Sequence, residues 1–525
     1  MKRLILLLLI IIGSLVAKSQ FTYFERFYNN DAWSASLTII ESDSGYVITG
    51  VSGDNVNQYQ FKRIVLTAID DDGNQLWWKT YGEDFHHYYA GGSRGCTRTS
   101  DGGYAISGTI DDGYHAIGLL LRCDSNGDSL WCKTFGDTVQ AGPPHIIFEV
   151  NQELPDKGFI IAGQISWTGT DTDILVVRTD SLGNLKWSNY YGHEDWCEMP
   201  ASIAQLPGGD FLFGTTKQTL LINNFENDAG LLKIDSLGHK KWLKYYNGPF
   251  ENRQAIVDLA NDGNYLAGSC YAHWEEYVDY PWQKVWLFKT DTAGNVIWEK
   301  KYGDKPFTGW CSSIEELANG DIILGGTAWY LDEYGNKAWI FKADQDGDSI
   351  WMRHYLHYPE WINELYDFRI CSDQGIIFAG QVFMPEEEQT MWVMKLDSIG
   401  CDSAGCDTTV WVIELNGSNK AWEQGDIEVW PNPAAEVLSV KCLGLPARTF
   451  PFGTGGSSGI DYELVIYDIF GRMATARQIS LPPGGGRAGD GGWQVDVSSL
   501  PPGMYLAVIK NGREVIGSRK FIISR

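Results

Sequence analysis

The feature that most constrains this fold is a repeat whose tryptophans recur 53 to 56 residues apart. Each repeat carries an aspartate, a turn glycine and a tryptophan. The six sets are Asp70/Gly73/Trp77, Asp124/Gly127/Trp131, Asp180/Gly183/Trp187, Asp235/Gly238/Trp242, Asp291/Gly294/Trp298 and Asp344/Gly347/Trp351. One unit of this length cannot bury its apolar face alone, so neighbouring units must stack into a continuous array.

Short apolar runs indicate that each repeat consists of strands. A glycine-containing turn followed by an apolar run occurs seven times, and these runs end at Gly50, Gly108, Gly163, Gly214, Gly268, Gly325 and Gly380. Further runs precede the aspartates, as in WLFKTD before Asp291. Runs of β-branched and aromatic residues bounded by Gly, Asp and Asn predict strands. Four short strands per repeat are typical of one β-propeller blade.

The ends of the repeat array predict a closed ring. Asp397 begins a seventh repeat, but no tryptophan strand follows it. Phe24, Arg26 and Tyr28 near the start of the chain match the Trp-x-Lys-x-Tyr spacing of the other repeats. Pairing the first strand with the last repeat removes two exposed sheet edges. We therefore predict an all-β protein in which residues 20–400 form a seven-bladed β-propeller closed by the N-terminal strand. The alternative is a solenoid or a series of separate sandwich modules.

The N-terminus has the pattern of a secretory signal peptide. It begins with the basic sequence MKR, continues with the apolar run Leu4 to Ile12, and reaches the small residues Ala17 and Ser19. This pattern predicts a signal peptide over residues 1–19 that is cleaved near Ser19. The run is too short for a membrane-spanning helix, so we expect no transmembrane segment in the mature protein.

Charge and motif content exclude several classes of partner and cofactor. The chain has 67 acidic and 41 basic residues, a net charge of -26, which repels nucleic acid and anionic lipid. It contains no P-loop, dinucleotide fingerprint or G-x-S-x-G motif. The histidines at His86, His87, His354 and His357 have no convincing additional ligands, and the Asp-rich turns lack calcium-loop spacing. We therefore expect no metal and no cofactor.

Long loops on one face of the predicted propeller are rich in aromatic and acidic residues. The turns on the other face are short and Gly-rich, whereas function on a rigid scaffold usually lies in variable loops. The candidate binding residues are Trp167, Trp196, Trp274, Trp282, Trp310, Trp329 and Trp361. Aromatic faces and carboxylates suit a glycan or a protein ligand. The alternative interpretation is that these aromatic side chains pack between blades.

A catalytic interpretation depends on carboxylates. Asp173 and Asp228 occupy equivalent positions, seven residues before Asp180 and Asp235. Two converging carboxylates can cleave glycosides, which makes this pair the best candidate for a hydrolase or lyase. Isolated surface acids are the simpler explanation in so acidic a chain.

The chain changes character after the seventh repeat. Residues 401–426 are predicted to be a linker, and Cys401 and Cys406 are close enough in sequence to form a disulfide, with free thiols as the alternative. Residues 427–525 alternate apolar runs with Gly/Pro turns, which predicts a small Ig-like β-sandwich.

Three motifs in this last segment resemble a known family. Pro431, Asn432 and Pro433 stand in VWPNPA, Gly471 in DIFGR, and Gly503 with Tyr505 in LPPGMY. Together they resemble the type A C-terminal sorting domain of the type IX secretion system. Trp430 replaces the usual tyrosine, and Gly-rich insertions interrupt the pattern at residues 453–459 and 484–492.

The resemblance implies a route and a location. The signal peptide would direct passage across the inner membrane of a Gram-negative bacterium, and the sorting domain would engage the type IX machinery for export to the surface or medium. The family's domain is commonly removed, leaving cargo released or linked to surface lipopolysaccharide. The leading hypothesis is a non-enzymatic binding or adhesion propeller. A secreted glycan-active hydrolase or lyase is the main alternative, and a spacer or scaffold is a third.

Overall fold

The computed structural model divides the chain into two compact units, Met1–Ile413 and Glu414–Arg525. It describes residues 21–56, 59–113, 115–136, 144–166, 172–193, 196–219, 227–246, 255–273, 282–330, 335–358, 361–383, 389–403, 426–430, 437–443, 461–468, 473–480, 493–497, 500, 503–511 and 514–523. Every regular element within these residues is a β-strand. The expected all-β class is therefore confirmed.

The described part of unit 1 consists of antiparallel meanders of successive strands, which we number in chain order. Meander 1 holds β2 (Trp33–Ser42), β3 (Gly45–Val56), β4 (Tyr59–Ile69) and β5 (Gln75–Tyr81). Meander 2 holds β6 (His87–Ala90), β7 (Cys96–Arg98), β8 (Tyr104–Asp111), β9 (Ala116–Cys123) and β10 (Ser129–Phe135). Both β6 and β7 pair with β8, so they are two halves of an interrupted first strand.

The middle of unit 1 repeats this arrangement. Meander 3 holds β11 (His145–Glu153), β12 (Phe159–Ser166), β13 (Asp173–Thr179) and β14 (Leu185–Tyr191). Meander 4 holds β15 (Trp196–Gln205), β16 (Phe211–Thr219), β17 (Asn227–Ile234) and β18 (Lys240–Tyr246). Meander 5 holds β19 (Ile256–Leu259), β20 (Tyr265–His273), β21 (Trp282–Thr290) and the first part of β22 (Val296–Glu316).

The last two meanders complete unit 1. Meander 6 holds the second part of β22, β23 (Ile322–Tyr330), β24 (Asn336–Ala343) and β25 (Ser349–Tyr355). Meander 7 holds β26 (Asn363–Ile370), β27 (Ile376–Val382), β28 (Thr390–Leu396) and β1 (Phe24–Tyr28). Strand β1 pairs antiparallel with β28, placing Phe24 opposite Lys395 and Tyr28 opposite Met391. This is the position that the sequence pattern predicts for the N-terminal strand.

The first strands of the meanders form a closed circle. Strand β7 contacts β2 and β11, β15 contacts β11 and β19, and β22 contacts β19 and β26. Strand β26 in turn contacts β2, which returns the circle to meander 1. Each meander therefore presents its first strand to a common centre.

The repeated turn and the repeated aromatic residues explain how neighbouring meanders hold together. In meander 1, Asp70 Oδ1 accepts the Asn74 amide at 2.8 Å, and Gly73 has a φ of 79°, which favours glycine. The Tyr28 hydroxyl of meander 7 donates to the Gly73 carbonyl at 2.7 Å. The same tyrosine-to-glycine bond occurs from Tyr81 to Gly127, Tyr191 to Gly238, Tyr246 to Gly294, Tyr302 to Gly347 and Tyr355 to Gly400.

The tryptophans of the repeat pack on the same glycines. Trp77 lies against Gly127, so closely that a Cβ there would come within 2.9 Å of the indole ring. The in-strand Trp-x-Lys-x-Tyr residues therefore serve packing between meanders. Between meanders 7 and 1, for example, Phe24, Ile39 and Met391 share one buried cluster. The apolar core thus lies between adjacent sheets.

Unit 2 contains two antiparallel sheets within its described residues. One holds β29 (Asp426–Trp430), β30 (Val437–Leu443) and β33 (Trp493–Asp496). The other holds β31 (Asp461–Asp468), β32 (Met473–Ser480), β34 (Gly503–Asn511) and β35 (Glu514–Ile523). Leu464, Ile466 and Ala507 are buried.

The sequence-predicted segments at the ends of the chain lie only partly among the described residues. Gly503 begins β34, and Tyr505 is buried in it. Pro431, Asn432, Pro433, Gly471 and the predicted signal peptide lie outside the described residues. The described residues include no helix with the length and apolarity needed to cross a membrane.

Candidate functional site

A glycine-rich loop enters the centre of the circle of first strands. This axial loop, residues 91–95, has the sequence GGSRG and separates β6 from β7. A side chain on Gly91 would collide with the Glu149 carbonyl oxygen, so only glycine allows the loop to approach meander 3 this closely. Arg94 has a φ of 65°, a strained conformation for a non-glycine residue.

The axial loop is hydrogen-bonded to four other meanders. Thr38 of meander 1 donates to the Gly92 carbonyl at 3.1 Å, and Ser93 donates to the Tyr366 carbonyl of meander 7. The Asn151 side chain of meander 3 donates to the Gly95 carbonyl at 2.7 Å. Because its partners come from opposite sides of the circle, the loop crosses the centre of unit 1.

Arg94 anchors the loop to meander 6. Its guanidinium donates to the Ile314 carbonyl at 2.9 Å and to Ser313 Oγ at 3.1 Å, and it lies 3.4 Å from Glu315 Oε1. Burial raises the pKa of Glu315, while Arg94 and Arg369 lower it. Arg369 also pairs at 2.7 Å with Asp367, whose side chain is fully buried. These buried charges are paired, as the cost of desolvation requires.

A cavity of about 260 Å³ lies against the axial loop. Its walls come from all seven meanders: Leu37, Gly92, Ser93, Glu149, Gln164, Met199, Pro200, Ala201, Ile256, Trp310, Cys311, Ser312 and Tyr366. We call it the central cavity. Its size is near the lower end of the range for ligand pockets, roughly 300–1,000 Å³.

Glu149 is the one carboxylate among the residues that line the central cavity. Its Oε2 accepts the Gly92 amide at 3.1 Å, and its Oε1 lies 3.4 Å from the Gln164 amide nitrogen. Burial raises the pKa of Glu149, while these two hydrogen bonds lower it. The carboxyl is therefore held deep in the protein with both oxygens positioned by neighbours, although it retains some exposure through the cavity.

An aromatic wall faces the same space. Trp310 lies with its ring centre 5.1 Å from that of Trp329 and 6.1 Å from that of Tyr366. The Tyr366 hydroxyl donates to Glu364 Oε2 at 2.7 Å, and Asn336 donates to the other oxygen of Glu364 at 2.9 Å. Because Glu364 and Asn336 are buried, this network fixes the orientation of the tyrosine ring.

Asp173 of meander 3 and Asp228 of meander 4 belong to a cluster of polar side chains that does not line the central cavity. Glu198 is its centre: the side chain is buried, and the Tyr245 hydroxyl donates to its Oε1 at 2.9 Å. A Cβ placed on Gly192 would collide with Asp173 Oδ1 and lie 3.1 Å from Glu198 Oε2. Asp228 is buried and pairs at 3.1 Å with Lys217. We call these five side chains the Glu198 cluster.

Electrostatics couple the members of the Glu198 cluster. Burial raises the pKa of Glu198 to about 7, and the negative charge of Asp173 adds to this, whereas the Tyr245 hydrogen bond and Lys217 lower it. The pKa of Tyr245 is also raised, first by burial and then by Glu198, Asp228 and Asp173. The two sequence-predicted aspartates therefore act on the same Glu–Tyr pair.

The predicted tryptophans do not form one surface within the described residues. Trp310 and Trp329 meet beside the central cavity. Trp196 is stacked on His193 at 4.4 Å, with Lys217 Nζ 4.1 Å from its ring centre, which places it at the Glu198 cluster. Trp361 is 44% exposed. Trp167 and Trp274 lie outside the described residues, as does the side chain of Trp282 at the start of β21.

The described residues contain no group of three or more His, Cys, Asp or Glu side chains that could hold a metal ion. Cys401 is disulfide-bonded. Cys406 lies outside the described residues, so its pairing with Cys401 stays a prediction.

The last fifth of the chain matches a known family. Residues 428–524 match the family of the secretion system C-terminal sorting domain. This match supports the interpretation of the protein as type IX secretion cargo, which the sequence motifs indicated. It implies export to the cell surface or the extracellular space. No curated protein is similar in sequence to this cargo protein.

Solved structures with similar folds are distant. An ulvan lyase of polysaccharide lyase family PL25 has a TM-score of 0.47 and 7% identity, over 71% of this chain and 96% of its own. A fungal alcohol oxidase of the AA5 family, in complex with copper, has a TM-score of 0.42 and 11% identity, over 96% and 99%. The β-propeller domain of the Trilobed protease from Pyrococcus furiosus has a TM-score of 0.41 and 7% identity, over 72% and 99%.

These similarities concern the fold of this cargo protein and carry no argument about its activity. All three scores are below 0.5. They agree with an all-β chain that has β-propeller structural neighbours.

Among the residues that build the central cavity, sequence reasoning named Trp310 and missed the polar ones. Glu149, Gln164 and Tyr366 stand within ordinary strand patterns, and nothing in their spacing distinguishes them. The axial loop could have been recognised from the sequence, because GGSRG replaces strand residues in the second repeat alone. A glycine-rich break in one strand of a repeat often marks a close backbone approach.

Proposed function

We propose that this exported protein is a non-enzymatic surface or extracellular binding protein, and that its ligand is the end of a glycan chain held in the central cavity. The observation that carries the proposal is the lining of that cavity. An oriented aromatic wall of Trp310 and Tyr366 stands beside a positioned carboxyl and amide, Glu149 and Gln164. Aromatic rings offer apolar faces to a sugar, and the polar pair offers hydrogen bonds to hydroxyls.

The size and closure of the cavity support recognition of a chain end. About 260 Å³ accommodates one small group, not a long segment. Because the axial loop crosses the centre, we expect a chain end and not a threaded polymer to occupy the cavity. Glu149 is the one carboxylic acid of the lining and no cationic side chain among the described residues accompanies it there, so the cavity offers hydrogen bonds to neutral hydroxyls and no positive charge to an anionic ligand.

The test is a glycan-array screen of the mature chain, residues 20–525, alongside release of reducing sugar from the same polysaccharides. We expect binding without turnover. Trp310→Ala should weaken binding by at least about tenfold, because buried aromatic residues dominate such sites. Trp361→Ala removes an exposed tryptophan outside the cavity and is the matched control. If only Trp361→Ala weakens binding, the ligand lies on the loop surface and the cavity assignment is wrong.

We propose further that the seven meanders form a seven-bladed β-propeller, that unit 2 is an Ig-like sorting domain of type A, and that a signal peptide over residues 1–19 is removed. The closed circle of first strands and the pairing of β1 with β28 support the propeller.

Deleting residues 427–525 should leave the protein in the periplasm of its Gram-negative host. Unchanged export, measured by cell fractionation, would refute the sorting assignment.

A second candidate function is a glycan-active hydrolase or lyase centred on the Glu198 cluster. The observation in its favour is a buried glutamic acid whose pKa is raised to about 7, next to Tyr245 and two aspartates. A carboxyl with that pKa can donate or accept a proton at neutral pH. Turnover that disappears in Glu198→Gln but persists in Trp310→Ala would establish this function and displace the first.

A further inference from the structure

Two buried cysteines face each other between meanders 5 and 6. Cys270 is in β20 and Cys311 is in β22, and their sulfur atoms lie 3.9 Å apart. Their exposures are 0% and 1%, so solvent does not reach either thiol. The two strands are not hydrogen-bonded to each other at these positions: Cys270 is paired with Val285 of β21 in meander 5, and Cys311 is paired with Gly326 of β23 in meander 6. A bond between the sulfurs would therefore link positions that backbone pairing leaves independent.

Hydrogen bonding alone does not account for this pair. The Cys311 thiol donates to the Ser269 carbonyl at 3.1 Å, which satisfies Cys311 without Cys270. A serine could supply the same hydrogen bond, and an alanine or valine could supply the packing. The distinctive property of two facing thiols is that they can be joined. Sulfur atoms in a disulfide are about 2.0 Å apart, so the two side chains would have to move toward each other by rotation.

The cell compartment favours the joined form. The sorting domain at residues 428–524 implies export, and exported proteins pass through an oxidising periplasm. Cys401, in the same unit, is already disulfide-bonded. The described part of unit 1 thus contains one oxidised cysteine, Cys401, and a pair of thiols in contact, Cys270 and Cys311.

We propose that Cys270 and Cys311 form a disulfide that links the fifth and sixth meanders of the exported protein. Each thiol loses one proton and one electron, and the two sulfurs form a single bond. The electrons pass to the disulfide of a periplasmic thiol oxidant, which is reduced to a dithiol. Reaction precedes complete folding, since burial and the neighbouring thiol raise the pKa of Cys311 and make its thiolate scarce in the closed structure.

The bond lies next to the central cavity. Cys311 stands between Trp310 and Ser312, and all three line the cavity. Linking Cys311 to Cys270 fixes this part of β22 against the neighbouring meander. The disulfide would thereby hold the aromatic wall in place. This consequence does not depend on the identity of the ligand or on the proposed binding function.

Peptide mapping tests the proposal directly on the wild-type protein. The full-length chain is exported from its own host, denatured with an alkylating agent present, and digested without reductant. Lysines such as Lys289 and Lys300 separate the two cysteines, so trypsin releases them on different peptides. We expect these peptides to be found as one linked species that lacks two hydrogens. Alkylation of both Cys270 and Cys311 would overturn the proposal. Cys132, which is exposed, should be alkylated in the same sample.

A stability measurement gives an independent answer. Reductant applied in denaturant, and kept present during refolding, should lower the melting temperature of the wild-type protein by several degrees, and it should lower that of a Cys401→Ser variant as well. In the double variant Cys270→Ala/Cys311→Ala, reductant should cause only the smaller change that comes from Cys401. If the double variant and the wild-type protein respond equally, no bond joins Cys270 to Cys311.

Discussion

The carboxyl group of Glu198 should make the stability of unit 1 depend on pH near neutrality. The side chain is buried, and burial raises its pKa from 4.5 to about 7. Between these values the folded protein keeps a proton that the unfolded chain has lost. The stability that Glu198 contributes is therefore fully present below about pH 4.5 and is lost as the pH rises through 7.

The size of this effect follows from the two pKa values. A folded pKa of about 7 against 4.5 unfolded corresponds to roughly 3 kcal/mol of unfolding free energy lost across the window. Glu198→Gln replaces the carboxyl with a neutral group of similar shape. At pH 5 the variant and the wild-type protein should differ little. At pH 8 the variant should be more stable by roughly 3 kcal/mol.

Urea unfolding of the mature chain, followed by tryptophan fluorescence at pH 5, 6, 7 and 8, measures the difference between the two proteins at each pH. Other titrating groups cancel in this comparison because both proteins carry them. A difference that stays constant from pH 5 to pH 8 would refute the reasoning. So would a wild-type protein that gains stability over the variant as the pH rises.

Two further substitutions test the cause of the shift. The Tyr245 hydrogen bond lowers the pKa of Glu198, so Tyr245→Phe should move the pH window upward. The negative charge of Asp173 raises that pKa, so Asp173→Asn should move the window downward. Opposite displacements would identify Glu198 as the titrating group. A shift in the same direction in both variants would indicate general loosening of meander 4.

Three other outcomes follow from the structure. Tyr28→Asp should lower the unfolding free energy by at least about 3 kcal/mol, because it buries an unpaired charge where meander 7 meets meander 1. An unaltered melting temperature would contradict the role of β1 in joining these two meanders. Arg94→Met should lower the unfolding free energy by about 1.5–3 kcal/mol, because it removes the charged hydrogen bonds to Ile314 and Ser313 and one of the two guanidinium groups beside Glu315. An unaltered urea midpoint would show that the axial loop is not anchored there. Peptide mapping without reductant should find Cys401 linked to Cys406, and a link to any other cysteine would end that assignment.

The repeat could be predicted from the sequence because its causes are local or nearly so. The Asp-x-x-Gly turn at Asp70 and Gly73 depends on hydrogen bonds within five residues and on one positive φ. The aromatic positions recur because each meander must present the same packing surface to the next. Phe24, Arg26 and Tyr28 follow that pattern, so their partner sheet could be inferred even though it lies at the far end of the domain.

The sorting domain was equally accessible, because its motifs lie close together in sequence and in fixed order. The pair Asp173 and Asp228 was chosen from equivalent repeat positions, and the structure does place both near Tyr245. No sequence pattern distinguished Glu198, which is the centre of that cluster. Glu198 differs from other glutamates in its burial, and burial depends on which strands pack around it.

By itself, the sequence determined the all-β class, the repeated turn-and-tryptophan framework and the C-terminal sorting domain that implies export. These properties rest on residues that are near neighbours or that recur at one period. The central cavity was decided only by the tertiary structure. Glu149, Trp310 and Tyr366 come from three different meanders, and the axial loop comes from a fourth. Their proximity arises from closing the circle, and no spacing within one repeat records it, because each meander contributes a different residue to a space that all of them share.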